Sequence, residues 1–281
     1  MNQYCIKVKD IKVGITEWGC KDNQTIICIH GLGGSSLSFI EIGEMLQDKY
    51  HFVSIDLPGH GRTSTFPYEL GYEMPNLIEW MNECVSLLGY NTFNMLAHSW
   101  GGDITLHYAA KYPEKVKKIL LIDGGYQLKY IYFDYMNTSL EAEIAYYEKD
   151  FDGYIFSNWD DFINVEEKAY LRYSDLLKKA SMDLMKEEDG IIKFIASGTV
   201  AKAAITGMYN SPTSLIFNKL SDNILLLQST LPENWLEYRQ YASDFFKKNS
   251  KAIVKQIKNV THMIHWDNPK VVADELRRHF K

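Results

Sequence analysis

The chain has 281 residues, a net charge of −6, and is 46% hydrophobic and 14% aromatic. That length houses one large domain with a sizeable core and room for an insertion, and does not require two independent domains. Its Lys and Arg residues are scattered, which leaves no footprint for nucleic acid or an anionic membrane and makes a small molecule the default partner.

Cys5, Cys20, Cys28 and Cys84 have no metal-ligand spacing, and charges interrupt the N-terminal stretch MNQYCIKVKD where a signal peptide needs an apolar run. A reducing cytoplasm is therefore expected. No apolar run approaches the roughly 18–20 residues that cross a bilayer. Repeats and low-complexity tracts are absent.

Tyr4 to Val8 and Ile11 to Glu17 alternate apolar and polar residues around Lys9 and Asp10, which predicts an antiparallel hairpin at a sheet edge. Thr25 to Ile29, TIICI, is a continuous β-branched run of the kind that forms a buried parallel strand, and it empties into HGLGGSS. With so little side-chain cover, this loop can aim an N–H group at a developing oxyanion, and Leu32 is the candidate donor. The plainer reading is a glycine turn before a helix over Leu37 to Leu46.

His51 to Ile55 predicts a second buried strand, followed by DLPGHGRT, in which turn formers surround His60. A helix over Met74 to Leu88 comes next. Phe93 to Ala97 then reads as a buried strand and Asp103 to Lys111 carries helical spacing, so a strand meets a helix at Ser99. A nucleophile on so sharp a turn needs little bulk two residues to either side, and Ala97 and Gly101 meet that need. A serine at a helix start can also be a simple N-cap.

Lys117 to Ile122 is a further strand ending at Asp123, Gly124 and Gly125, and the strand–helix alternation up to this point argues a parallel sheet with right-handed crossovers. From Tyr126 to about Pro212 the alternation is lost. Aromatic residues crowd that stretch among acidic ones and short helical patterns, which predicts a helical cap inserted between core segments 1–125 and 213–281. Aromatic walls would suit an apolar or aromatic substrate, although aromatics at helical spacing more often form an insertion's own core. The sheet resumes at Asn223 to Leu227, a helix spans Pro232 to Lys248, and the last strand is Ala252 to Ile257. A closing helix runs from Pro269 to Phe280, with Pro269 at its first position and Asn268 as cap.

Four strings, HGLGG, DLPGHG, AHSWGG and HMIHWDNP, stand in an order that resembles the α/β-hydrolase family over the whole chain except the inserted stretch. AHSWGG is that family's G-x-S-x-G pattern with Ala97 for the first glycine. The resemblance implies a mostly parallel central sheet flanked by helices, and a serine hydrolase acting on a carboxylic ester or related acyl compound without metal or organic cofactor. It implies Ser99 as nucleophile, His262 as base, and the N–H groups of Leu32 and Trp100 as the oxyanion hole. In it His60 is structural, and His265, the rival base, sits near the start of the final helix. Thr261 replaces the glycine usual before the base, which implies a slacker loop.

The acid stays open. The family's usual place follows the penultimate strand, where this chain reads LLLQSTLPENW and Glu233 is the nearest carboxylate. Glu233 also suits a helix start, where an acid complements the dipole. Asp123 occupies the place used by some relatives, after the strand that follows the nucleophile helix. Both obey the order Ser, acid, His. A working triad places the Ser99 hydroxyl about 2.6–3.2 Å from the imidazole of His262, or slightly further without ligand. The same fold hosts C–C bond, lactone and thioester hydrolysis, and receptors that keep a triad, so natural substrate and oligomeric state are not legible.

Overall fold

A computed structural model describes residues 1–281. Its centre is an eight-stranded sheet built from β1 (Asn2–Val8), β2 (Ile11–Trp18), β3 (Gln24–Ile29), β4 (Tyr50–Ile55), β5 (Phe93–His98) and β6 (Val116–Ile122). The core helices among them are α1 (Ile40–Leu46), α2 (Met74–Leu87) and α3 (Trp100–Lys111). After β6 come α4 (Lys129–Met136), α5 (Leu140–Gly153), β7 (Ile155–Phe156), α6 (Trp159–Ala169), α7 (Asp175–Met182), β8 (Met185–Glu188), β9 (Ile191–Phe194) and α8 (Gly198–Asn210). The chain closes with β10 (Ile224–Ser229), α9 (Leu236–Ser250), β11 (Ile253–Ile257), α10 (Ile264–Asp267) and α11 (Pro269–His279).

The strand order is β1-β2-β4-β3-β5-β6-β10-β11. β1 pairs with β2, and β2 with β4, in antiparallel sense, while every other pairing is parallel. The continuous apolar runs explain this layout. Strands β4, β5 and β10 are buried at every residue, as strands covered by helices on both faces must be. Successive side chains divide between the two layers: Ile119 and Leu121 pack with residues of α2, α3, α8 and α9, whereas Leu120 and Ile122 face α1, α10 and α11. β1 alternates in exposure and lies at the edge, as its sequence pattern predicts.

Between β6 and β10 the chain is not purely helical. β7, β9 and β8 form a small antiparallel sheet in that order, which the helical cap expected for 126–212 did not include. The turn joining β8 to β9 is Asp189–Gly190, with φ of 54° and 77°. Positive φ at both central residues is the requirement of the type I′ hairpin turn, and Asp-Gly is among the pairs that meet it. α8 then returns to the main body and buries Val200, Ala203, Ala204 and Met208 in its core.

Among the elements whose starts differ from expectation, two flank residues singled out in the sequence. The helix after Ser99 begins at Trp100 instead of Asp103, because the turn at Ser99 leads straight into it. Ahead of α9, Glu233–Trp235 forms a 3-10 turn, so the α-helix begins at Leu236. α11 starts as predicted, with the Val271 N–H donating to the Asn268 side chain.

Candidate active site

Ser99 sits between β5 and α3 with φ 51° and ψ −124°, a conformation that costs a non-glycine residue about 1–3 kcal/mol and persists only where surrounding packing dictates it. That packing is visible. A β-carbon at Gly101 would lie 2.3 Å from the Ile29 carbonyl oxygen, and one at Gly124 would lie 2.2 Å from the carbonyl oxygen of Ser99. Backbone therefore closes on the serine turn from both sides, and only glycine fits there. The Ser99 N–H donates to the Ile122 carbonyl at 3.1 Å, tying the turn to the neighbouring strand.

Asp123 follows directly on β6. Its carboxylate is 2% exposed and accepts four hydrogen bonds. Oδ1 takes the Ser229 N–H (3.2 Å) and the Tyr126 hydroxyl (3.1 Å), while Oδ2 takes the Ser229 hydroxyl (2.7 Å) and His262 Nδ1–H (2.9 Å). Burial pushes this carboxyl up, but the hydrogen bond and charge of His262, with help from Ser229 and Arg239, outweigh it and hold the group below its usual range. Glu233, the other candidate acid, is exposed on the 3-10 turn before α9 and makes no bond to the imidazole. The carboxylate on His262 is that of Asp123.

His262 lies in the loop between β11 and α10. Thr261 does not slacken this loop as its replacement of glycine suggested, because its N–H and its hydroxyl both donate to Asp267 Oδ2, at 2.6 and 2.7 Å. A second histidine buttresses the first: His98 Nε2–H donates to the His262 carbonyl at 3.1 Å. His265 is 1% exposed, packed between the tilted rings of Phe39 and His98, and burial lowers its pKa to about 3. It does not line the cavity described next.

Ser99, Asp123 and His262 converge on one cavity of about 410 Å³. The Ser99 hydroxyl makes no hydrogen bond to His262 in this structure, so the tight contact expected of a working triad is not formed. Leu32 and Trp100 line the same cavity. The Leu32 N–H has no backbone partner, and the Trp100 N–H belongs to the first turn of α3, where helix donors stand free. Two histidines fix the loop that carries Leu32. Gly33 N–H donates to His60 Nε2 (3.1 Å), whose Nδ1–H donates to the Pro58 carbonyl (3.0 Å). Leu57 N–H donates to His30 Nε2, whose Nδ1–H donates to the Gly31 carbonyl. Burial lowers both, His60 to about 3 and His30 to about 4, so each stays neutral and can accept.

Tyr126, Tyr132 and Tyr147 from the segment after β6 join Trp235 and Tyr238 in the cavity wall. The wall is less apolar than the sequence suggested. Asp103, Lys129, Glu143 and Arg239 also line it, and three of these four come from α3, the start of α4 and α9, whose inward faces no count of aromatics could identify. Ser229, His98, Lys129 and Arg239 were all passed over in the sequence. His98 adjoins Ser99 in the motif and was within reach of that reading; the others become visible only when strands and helices are brought together.

Residues 24–269 match the family model described as the alpha/beta hydrolase fold. The chain belongs to that family. It is 32% identical over 106 residues to "Serine hydrolase-like protein" of Danio rerio, covering 38% of this chain and 32% of that one. It is 35% identical over 111 residues to "Probable serine hydrolase" of Drosophila melanogaster, again 38% and 32% of the two chains. The match thus spans about a third of the length of each of these relatives. Among solved structures, E-2-(acetamidomethylene)succinate hydrolase superposes with a TM-score of 0.79 over 99% of this chain and 98% of that one, at 16% identity. That likeness is one of fold. No helix is long and apolar enough to cross a membrane.

Proposed function

We propose that this chain is a serine hydrolase that cleaves a carboxylic ester or a related acyl compound through an acyl-enzyme. The observation that carries the reading is the 2.9 Å hydrogen bond between Asp123 and His262 Nδ1, at the edge of a cavity that Ser99 also lines. With Nδ1 holding its proton against the carboxylate, Nε2 is left as the acceptor that a base needs. The imidazole is the more exposed partner, with 41% of its side chain open against 2% for Asp123. It can therefore move onto the serine hydroxyl as substrate enters, and catalytic hydrogen bonds are often loose before that point.

In the proposed reaction Ser99 Oγ attacks the acyl carbon as His262 takes its proton. The N–H groups of Leu32 and Trp100 receive the negative charge that develops on the carbonyl oxygen. His262 then returns the proton to the leaving oxygen, and water attacks the acyl-enzyme by the same path in reverse. Segment 126–212 acts as a cap that excludes bulk water from this step. The reading is tested by p-nitrophenyl ester hydrolysis. Wild-type protein should turn over short acyl esters, and Ser99→Ala should reduce kcat by about 10⁵–10⁶. Equal turnover by the two proteins would overturn the assignment.

A further inference from the structure

Lys129 and Arg239 are each 6% exposed and both line the cavity that holds Ser99. Neither is joined to a carboxylate by an ion pair. Lys129 Nζ donates to Gln127 Oε1 at 3.1 Å and lies 5.4 Å from the centroid of the Tyr209 ring. Arg239 donates a single hydrogen bond, to the Pro232 carbonyl at 3.2 Å, and its guanidinium lies 5.8 Å from the Trp235 ring centroid. An ammonium carries three donors and a guanidinium five, so most of the donors on these two buried cations are unspent.

The acids facing the same space are Asp103, Asp123 and Glu143. Asp123 already accepts four hydrogen bonds, and Glu143 accepts the Tyr209 hydroxyl. Burial raises the Asp103 carboxyl, although the charge of Lys129 works against this. Long-range attraction thus softens the isolation of the two cations without filling their donor positions. A buried charge whose donors are unfilled is costly, and a ligand oxygen that fills them gains a charge-assisted bond.

The geometry points to a substrate that carries a carboxylate besides its scissile acyl group, with that carboxylate held by Arg239 and Lys129. This rests on the serine-hydrolase reading for its chemistry, but its binding part stands apart from turnover. Arg239 offers a planar fork suited to both oxygens of a carboxylate, backed by the Trp235 ring, and Lys129, at the start of α4, supplies a second positive charge to the same cavity. A neutral substrate of the same shape would leave both buried cations unpaired, and a site built in this way discriminates against it.

Two measurements test the inference. In the first, kcat/KM is compared for mono-4-nitrophenyl glutarate and 4-nitrophenyl pentanoate, esters that differ chiefly in a terminal carboxylate. The wild type should favour the glutarate ester by about tenfold to a hundredfold, and Arg239→Gln should collapse that ratio by a similar factor. Lys129→Gln should lower the ratio too, and it carries the test if loss of Arg239 unfolds the turn around Pro232. In the second, free glutarate is titrated into wild-type protein by calorimetry beside its neutral diamide. Glutarate should bind, the diamide should not, and either substitution should weaken glutarate by about the same tenfold to hundredfold. A preference for the pentanoate ester, or a ratio unchanged by both substitutions, would overturn the inference, as would equal binding of glutarate and its diamide. If neither ester is hydrolysed while glutarate binds through Arg239 and Lys129, the hydrolase reading fails and the carboxylate site remains.

Discussion

Replacing Asp123 with asparagine probes the proposed mechanism at its least legible member. The carboxylate meets four donors: the N–H and hydroxyl of Ser229, the Tyr126 hydroxyl and His262 Nδ1–H. An amide keeps only one acceptor oxygen. If that oxygen stays with the Ser229 N–H and Tyr126, as a position holding a fixed backbone donor demands, the NH₂ group must face Ser229 Oγ and His262 Nδ1. The Ser229 hydroxyl can rotate to accept. The imidazole can comply only by giving up its Nδ1 proton, which moves the proton to Nε2 and removes the base. A wrong tautomer of this kind lowers kcat by about 10⁴ in a serine protease triad, and the same order is expected here. At about 1.4 kcal/mol per tenfold this is roughly 5 kcal/mol of barrier. The assay is p-nitrophenyl butyrate hydrolysis at pH 7 with active-site titration. Asp123→Asn should lose about 10³–10⁴ in kcat with KM little changed. Glu233→Gln, exposed and away from the imidazole, should stay within about threefold of wild type on the same reasoning. The reasoning is refuted if Asp123→Asn keeps more than a tenth of the activity, or if Glu233→Gln is equally impaired.

Other predictions follow from the same contacts. Ser229→Ala removes the 2.7 Å hydroxyl donor to Asp123, a bond to a charged group worth about 1.5–3 kcal/mol, and urea denaturation should register a loss of that size. Gly124→Ala would drive a β-carbon to 2.2 Å from the Ser99 carbonyl oxygen; since backbone cannot yield as a side chain can, a loss of at least about 3 kcal/mol in urea is expected. Gly153→Ala, with nothing within 4 Å of its added carbon, should stay within about 1 kcal/mol of wild type. Stability should also fall on mild acidification. Burial holds His30, His60 and His265 at about 4, 3 and 3, so between pH 6.5 and about 4 the unfolded chain binds protons that the folded chain does not. Each such histidine then costs up to about 1.4 kcal/mol per pH unit. Urea midpoints at pH 7.5, 6 and 5 should drop accordingly, and His265→Gln should flatten the slope; a midpoint that does not move down to pH 5 would contradict the neutral assignment.

Much of the fold was legible because strands buried on both faces need unbroken apolar runs, and TIICI, HFVSI and ILLL supply them without ambiguity. Ser99 was legible for a related reason: a turn this close to neighbouring backbone tolerates only small residues around it, and Ala97 and Gly101 record that constraint in the sequence. The carboxylate facing His262 was not. β6 and β10 are adjacent parallel strands with Ile122 opposite Leu227, so Asp123 at the end of one and Ser229 at the end of the other reach the same point. Either strand end can therefore present an acid to the histidine loop, and linear order does not distinguish them. The Asp189–Gly190 hairpin was readable as a turn signal, but the surrounding helical patterns masked its four-residue strands. Lys129 and Arg239 lie 110 residues apart in the chain and meet at one cavity only through the packing of the insertion on α9.

The central claim is that Ser99 is an activated nucleophile. Incubation with a fluorophosphonate followed by intact mass and peptide mapping tests it most directly, because an unactivated serine reacts too slowly to be labelled. The account predicts one adduct per chain, located on Ser99, lost in Ser99→Ala and slowed strongly in His262→Ala. An unmodified protein, or an adduct on any other residue, would contradict it.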